Sequence, residues 1–111
     1  MAQQPPAVKP PETPQDCSAV NGYEWDTKTA YAICMAESRG NHLANNAGTN
    51  RDNSTDYGLM QINSIHADMV GGDLEKLYDP RTNLDIAYRL YKAKGFQPWS
   101  VYNNGKYLAF L

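Results

Sequence analysis

A chain of 111 residues and 12.4 kDa has room for one small domain, since domains usually run to about 100–150 residues, and no second catalytic domain is expected within it. Ten Lys and Arg against twelve Asp and Glu give a net charge of −2 and a pI near 5.5, which removes the basic surplus of a nucleic-acid binder. No run approaches the roughly 18 consecutive apolar residues of a membrane span, and the N-terminus lacks the apolar stretch of a signal peptide. Eight Tyr, two Trp and two Phe against two His suit stacking or carbohydrate contact better than metal chemistry.

Pro5, Pro6, Pro10, Pro11 and Pro14 are five of the seven prolines, set among Gln, Lys and Glu with almost nothing apolar to bury. Residues 1–15 therefore read as a disordered or polyproline-like leader, either a tether to something upstream or the remnant of an exported precursor with Met1 added. The folded domain is expected over 16–111, where it would bury about two thirds of its unfolded surface. Cys17 and Cys34 admit a single pairing. A bond would staple the incoming segment to the first helix, contribute about 3 kcal/mol and imply an oxidising compartment. The alternative is a free Cys34 acting as a small hydrophobe on a buried helix face.

The first helix is expected from Thr27 to Arg39, with Asp26 as N-cap and Gly40 as the left-handed stop. Ala30, Ile33, Cys34 and Glu37 follow the i, i+3, i+4, i+7 spacing of one buried stripe. A carboxylate on that stripe, in the last turn near the negative end of the helix dipole, is a local conflict of the kind that marks function. Residues 41–54, rich in Asn, Gly, Asp and Thr, read as irregular loop or a small turn-based sheet. Leu59, Met60 and Ile62 supply apolar anchors, and Ser64 can cap a short helix through Val70 that Gly71 and Gly72 end. Asp79 before Pro80 predicts a helix to Lys94 closed by Gly95, with Leu84, Ala87, Tyr88 and Tyr91 as its core face. Pro98 opens a last short helix through Val101 and Tyr102, Asn104 and Gly105 turn the chain, and Tyr107–Leu111 forms a final helical turn. The fold class expected is mainly α, with a short β-hairpin or irregular loop.

Most site chemistries fail on spacing. His42 and His66 have no second ligand at helical spacing, so no metal site is expected. The stretch from Asp52 to Asp56 starts like a calcium loop, but Tyr57 and Asn63 stand where the turn glycine and terminal glutamate belong. No nucleophile elbow is present. A pair of carboxylates survives. Glu37, at the end of an apolar face, should hold its proton, while Asp56, in a polar Ser-Thr-Asp-Tyr-Gly turn, has hydroxyls and backbone N–H groups to keep it ionised. One protonated and one ionised carboxyl are what glycoside cleavage uses. Against this stand two plain roles, a snorkelling Glu37 and an Asp56 that caps a turn.

The same residues carry a resemblance. Ala36-Glu37-Ser38-Arg39-Gly40-Asn41, followed by Ser54-Thr55-Asp56-Tyr57-Gly58-Leu59-Met60-Gln61-Ile62-Asn63-Ser64, resembles the lysozyme superfamily. The second string is similar to the active-site hairpin of animal-type lysozymes, and Glu-Ser then Gly-Leu-Met-Gln-Ile to soluble lytic transglycosylases. Asp79-Pro80-Arg81-Thr82-Asn83-Leu84 and Trp99-Ser100-Val101-Tyr102-Asn103-Asn104-Gly105 resemble the transglycosylase helix and its Ala-Tyr-Asn-like motif, so the likeness spans about residues 27–107.

The resemblance implies a lysozyme-like α+β domain, without cofactor or metal, that cuts the β-1,4 bond between N-acetylmuramic acid and N-acetylglucosamine. Glu37 would be the general acid and Asp56 the stabilising or nucleophilic carboxylate, roles established for lysozymes rather than read from spacing. Ser38 would help orient the site, Tyr57, Gln61 and Asn63 would line the saccharide cleft, and Tyr102, with Asn103 beside it, would hold the acid. Trp99 would stack on a sugar face or serve as a core aromatic. The partners implied are peptidoglycan glycan strands, met by a monomer in an extracellular, periplasmic or wall-associated setting. Two departures matter: animal-type lysozymes are disulfide-rich, and lytic transglycosylases usually lack an acid at the place of Asp56. The alternatives are a lytic transglycosylase using Glu37 alone to give 1,6-anhydro ends, a non-catalytic glycan-binding module, and a structural piece of a phage tail or secretion machine.

Overall fold

In the computed structural model, residues 16–47 and 50–111 are described, and the segment 1–15 read as a leader lies outside them. The chain enters through a 3-10 turn, Ser18–Gly22, whose first flanking residue, Cys17, is bonded to Cys34 across a separation of 17 residues. Of the two states open to these cysteines, the bonded one is present. Both sulfurs are fully buried, so the staple adds to the core as well as restricting the unfolded chain. Replacing both by Ser should cost about 3 kcal/mol in a denaturant titration, and adding reductant to the wild type should reproduce most of that loss.

Helix α1, Thr27–Ser38, begins where Asp26 accepts the Thr29 backbone N–H and its hydroxyl. It buries Ala30, Ile33 and Cys34 as the periodicity predicts, and Ala32 as well. Its left-handed terminator is Arg39, at φ 56, one residue before the expected Gly40, which follows at φ 81. The Arg39 guanidinium then lies 5.2 Å from the centre of the Phe110 ring, holding a C-terminal 3-10 turn, Lys106–Phe110, against α1.

The polar stretch folds back as a small antiparallel hairpin, β1 Asp56–Tyr57 with β2 Ile62–Asn63, in the register Asp56 opposite Asn63 and Tyr57 opposite Ile62. A bridge from Asn45 to Tyr57 adds a partial third rung. The turn after β2, Ser64–Val70, is a 3-10 helix kinked at His66, and its cap is Asn63 rather than the expected Ser64. Ser64 is already engaged: its N–H donates to the Thr55 carbonyl and its Oγ accepts from the Thr55 N–H, extending the hairpin. A further 3-10 turn, Leu74–Tyr78, leads to α2, Pro80–Lys94, whose start at Asp79 and stop at Gly95 are as the sequence indicates. α2 buries Leu84 and Ala87, and Tyr88 and Tyr91 meet Trp25 edge-on with ring centres 5.5 and 5.6 Å away. α3, Ser100–Asn103, completes a mainly α fold.

The hairpin loop reaches the interior because two side chains satisfy its backbone. Asn83, wholly buried on α2, donates from Nδ2 to the carbonyls of Tyr57 (2.7 Å) and Leu77 (2.8 Å) and accepts the Met60 N–H at 2.9 Å. The Trp99 indole N–H meets the Met60 carbonyl at 2.8 Å. Met60 and Leu59 can then pack into the core without orphaned peptide groups. Gly58 sits at φ 78 against this clamp, where a Cβ would stand 2.4 Å from both Asn83 Nδ2 and the Leu77 oxygen. No other residue type fits there.

Candidate active site

Two elements deliver one carboxyl each to a shared cavity. The apolar stripe of α1 continues to Glu37 in the last turn, and the helix is ended sharply enough to leave that side chain at its edge. Ser38 does part of the ending: its Oγ donates to the Cys34 carbonyl and accepts the Gly40 N–H, at 3.2 and 3.1 Å. From the other side, β1 presents Asp56 while its neighbour Tyr57, by strand alternation, packs its ring against Tyr78.

The two acids have opposite surroundings. Glu37 is half-buried and, among the described residues, has no hydrogen-bond partner. Burial disfavours its charge, the nearby Asp56 adds repulsion, and together they push its pKa up to about 7. Asp56 is enclosed by amide donors instead. Its Oδ2 accepts from Asn46 Nδ2 at 2.6 Å and Asn50 Nδ2 at 3.2 Å, and its Oδ1 from Asn63 Nδ2 at 2.8 Å. Its own N–H donates to Asn46 Oδ1 at 2.6 Å, so backbone and side chain are both fixed. This is the pattern of an acceptor-only carboxylate.

Glu37 and Asp56 line one cavity of about 180 Å³ together with Gln61, Asn63 and Trp99. Gln61 takes an uncommon left-handed backbone, φ 51, held there by its Nε2 donating to the carbonyls of Ala44 and Gly58. Trp99 is only 3% exposed, so it offers an edge to the cavity while its body belongs to the core. The remaining residues expected at the site lie outside this lining. Ser38 is buried at the end of α1, and Tyr57 sits on Tyr78. Tyr102 packs between Phe96 and Tyr107, and Asn103 donates to the Gln97 carbonyl.

Five contributors lie beyond the residues that the sequence singles out for the site. His66, Leu90 and Ser100 also line the cavity, and Asn46 and Asn50 hold Asp56 without lining it. The asparagine density of residues 41–54 was the available signal, since a polar loop beside a candidate carboxylate supplies donors. Among the described residues no group of three or more His, Cys, Asp or Glu could hold a metal ion. A larger cavity, about 460 Å³, opens between the Ser18–Gly22 turn and the start of α2. Its one acid, Asp85, is occupied by the Tyr23 hydroxyl and by Arg81, leaving no second carboxyl for acid–base work.

No curated protein and no solved structure matches the chain. A family profile described as a lysozyme-like domain matches residues 16–101, a stretch that contains α1 with Glu37, the whole hairpin and α2. Such domains are generally glycosidases or transglycosylases directed at peptidoglycan glycan. With a mainly helical fold, a short antiparallel hairpin and two carboxyls facing one cleft, the chain belongs to the lysozyme-like domain family.

Proposed function

We propose that this protein is a muramidase that hydrolyses the β-1,4 bond between N-acetylmuramic acid and N-acetylglucosamine, with Glu37 as general acid and Asp56 as the charge-stabilising carboxylate. One observation carries the reading: two carboxyls share a cavity in environments that push their behaviour apart. Glu37 keeps a proton to near neutral pH and no hydrogen bond holds that proton, so it is available to the leaving glycosidic oxygen. As the bond breaks, positive charge develops on the sugar, and Asp56 offers a fixed counter-charge on that side. Its oxygens already accept three amide N–H groups, which suits a stationary charge better than an attacking nucleophile. The buried disulfide is compatible with work outside the cytoplasm, where the wall lies.

The lytic transglycosylase reading has less support. It needs Glu37 alone, acting as acid and then base, whereas Asp56 shares the cavity, and Tyr102, packed between Phe96 and Tyr107, is not among the residues that line it. Digesting purified peptidoglycan and weighing the released muropeptides tests the two. Hydrolysis gives reducing ends, and Asp56→Asn should slow their release by about 10²-fold or more. Products lighter by one water would replace this reading with the transglycosylase one.

A further inference from the structure

The cavity of about 460 Å³ between the Ser18–Gly22 turn and the start of α2 shares no lining residue with the catalytic one and has the size of a small-molecule site, roughly 300–1,000 Å³. Ala19, Pro80 and Leu84 give it small or apolar surfaces, and Tyr23, Arg81 and Asp85 supply its polar groups. The Tyr23 hydroxyl donates to Asp85 Oδ1, and Arg81 Nε stands 3.8 Å from the same oxygen. Asp85 Oδ2 and the terminal nitrogens of Arg81 have no partner among the described residues, which leaves an acceptor beside a fork of donors. Gly22 keeps the space open. Its φ is not positive, so the backbone does not call for glycine, and a Cβ there would meet nothing within 4 Å.

Arg81 and Asp85 are the only charged residues lining this cavity and their charges cancel, so it favours neither an anion nor a cation. The N-terminus of α2 does not call for an anion either, because Asp79 already accepts the Thr82 N–H there and Pro80 has no N–H to offer. What fits is a neutral ligand whose neighbouring hydroxyl and amide groups both donate and accept. We infer that this cavity is a second glycan site, separate from the cleft, that takes N-acetylglucosamine units of a neighbouring strand and holds the protein on the insoluble wall, an inference that rests on the glycan-cleaving reading above. Contacts at such exposed groups are individually weak. They count on a polymer, because a strand held in the cleft keeps its neighbours at high effective concentration.

In the full chain carrying Glu37→Gln, an NMR titration with the neutral trimer of N-acetylglucosamine should shift the Gly22 N–H and Arg81 Nε–H signals, and adding Gly22→Leu, which fills the cavity, should abolish the shift at Arg81. In sedimentation with insoluble peptidoglycan, Gly22→Leu and Asp85→Ala should each weaken binding by about tenfold or more while leaving turnover of short soluble glycan chains unchanged. Glu75→Ala makes the same charge change as Asp85→Ala at an exposed residue of the Leu74–Tyr78 turn, outside the cavity lining, and should leave wall binding intact. Unshifted Gly22 and Arg81 signals, or wall binding indifferent to both cavity variants, would overturn the inference. Turnover by the wild type is scored separately. Absent turnover with wall binding still sensitive to Gly22→Leu sinks only the catalytic reading, whereas turnover with wall binding indifferent to the cavity variants sinks only the second glycan site.

Discussion

Glu37→Gln should lower peptidoglycan cleavage by about 10²–10⁴-fold, the usual contribution of a general acid, and should at the same time stabilise the fold at alkaline pH. The second effect follows from the direction of the pKa shift. Glu37 titrates near 7 when folded and near 4.5 otherwise, so between those values the native state holds a proton that the unfolded state has released. Stability therefore falls as pH rises through this window, and above pH 7 the buried charge costs up to about 3 kcal/mol. Gln carries no charge to bury. The variant should match the wild type in denaturant titrations at pH 4, exceed it by about 1–3 kcal/mol at pH 8.5, and remain inactive throughout. Wild-type activity should decline as pH passes about 7, when the acid loses its proton. In Asp56→Asn, whatever activity survives should decline at a lower pH, because one of the two causes of the shift is gone. Gain of alkaline stability together with loss of turnover is a combination that a merely structural Glu37 would not produce.

Asn83→Ala should be the most destabilising substitution away from the disulfide, costing about 3–5 kcal/mol in a denaturant titration. Each buried peptide group left without a partner costs about 1–3 kcal/mol, and this one amide serves three: the carbonyls of Tyr57 and Leu77 and the N–H of Met60. A small domain is usually stable by only about 5–15 kcal/mol, so the loss is a large share of the total. The effect also reaches the cleft, because Tyr57 and Met60 bracket the turn that sets β1 against β2 and places Asp56 across from Asn63. Surviving folded protein should cleave more slowly than its folded fraction predicts. A cost below about 1 kcal/mol would show that water replaces the amide and that the clamp is dispensable.

Helices were legible where local chemistry alone decides them. Asp26 and Asp79 cap, Pro80 pre-sets its dihedral, Gly95 closes, and the stripes through Ile33 and Leu84 mark the core faces. The ends misread were those decided by tertiary demand. Arg39 takes the left-handed position because Ser38 binds the Gly40 N–H and Phe110 covers the guanidinium, and Asn63 displaces Ser64 as cap because the Ser64 hydroxyl is committed across the hairpin. Glu37 and Asp56 stood out because each breaks or fits its local environment in a way readable from neighbours. The support of Asp56 by Asn46 and Asn50 did not, since a loop's register is set by pairing that no periodicity encodes. Likeness of motif sets Tyr57, Tyr102 and Asn103 at the cleft, and the fold gives them contacts that no motif encodes: Tyr57 on Tyr78, Tyr102 between Phe96 and Tyr107, and Asn103 donating to the Gln97 carbonyl. Asn83 lay inside a quoted motif, yet its clamp depends on three carbonyl and amide groups brought together only by the fold.

The proposed chemistry depends most on the proton of Glu37, whose carboxyl carbon can be followed directly by NMR across pH in the full chain, with Asp56→Asn as comparison. A midpoint near 7 in the wild type, falling in the variant yet staying above 4.5 because burial remains, is the predicted result. A wild-type midpoint at 4–5, unaffected by Asp56→Asn, would contradict it, for Glu37 would then be an ordinary solvated carboxylate with no proton to give at neutral pH.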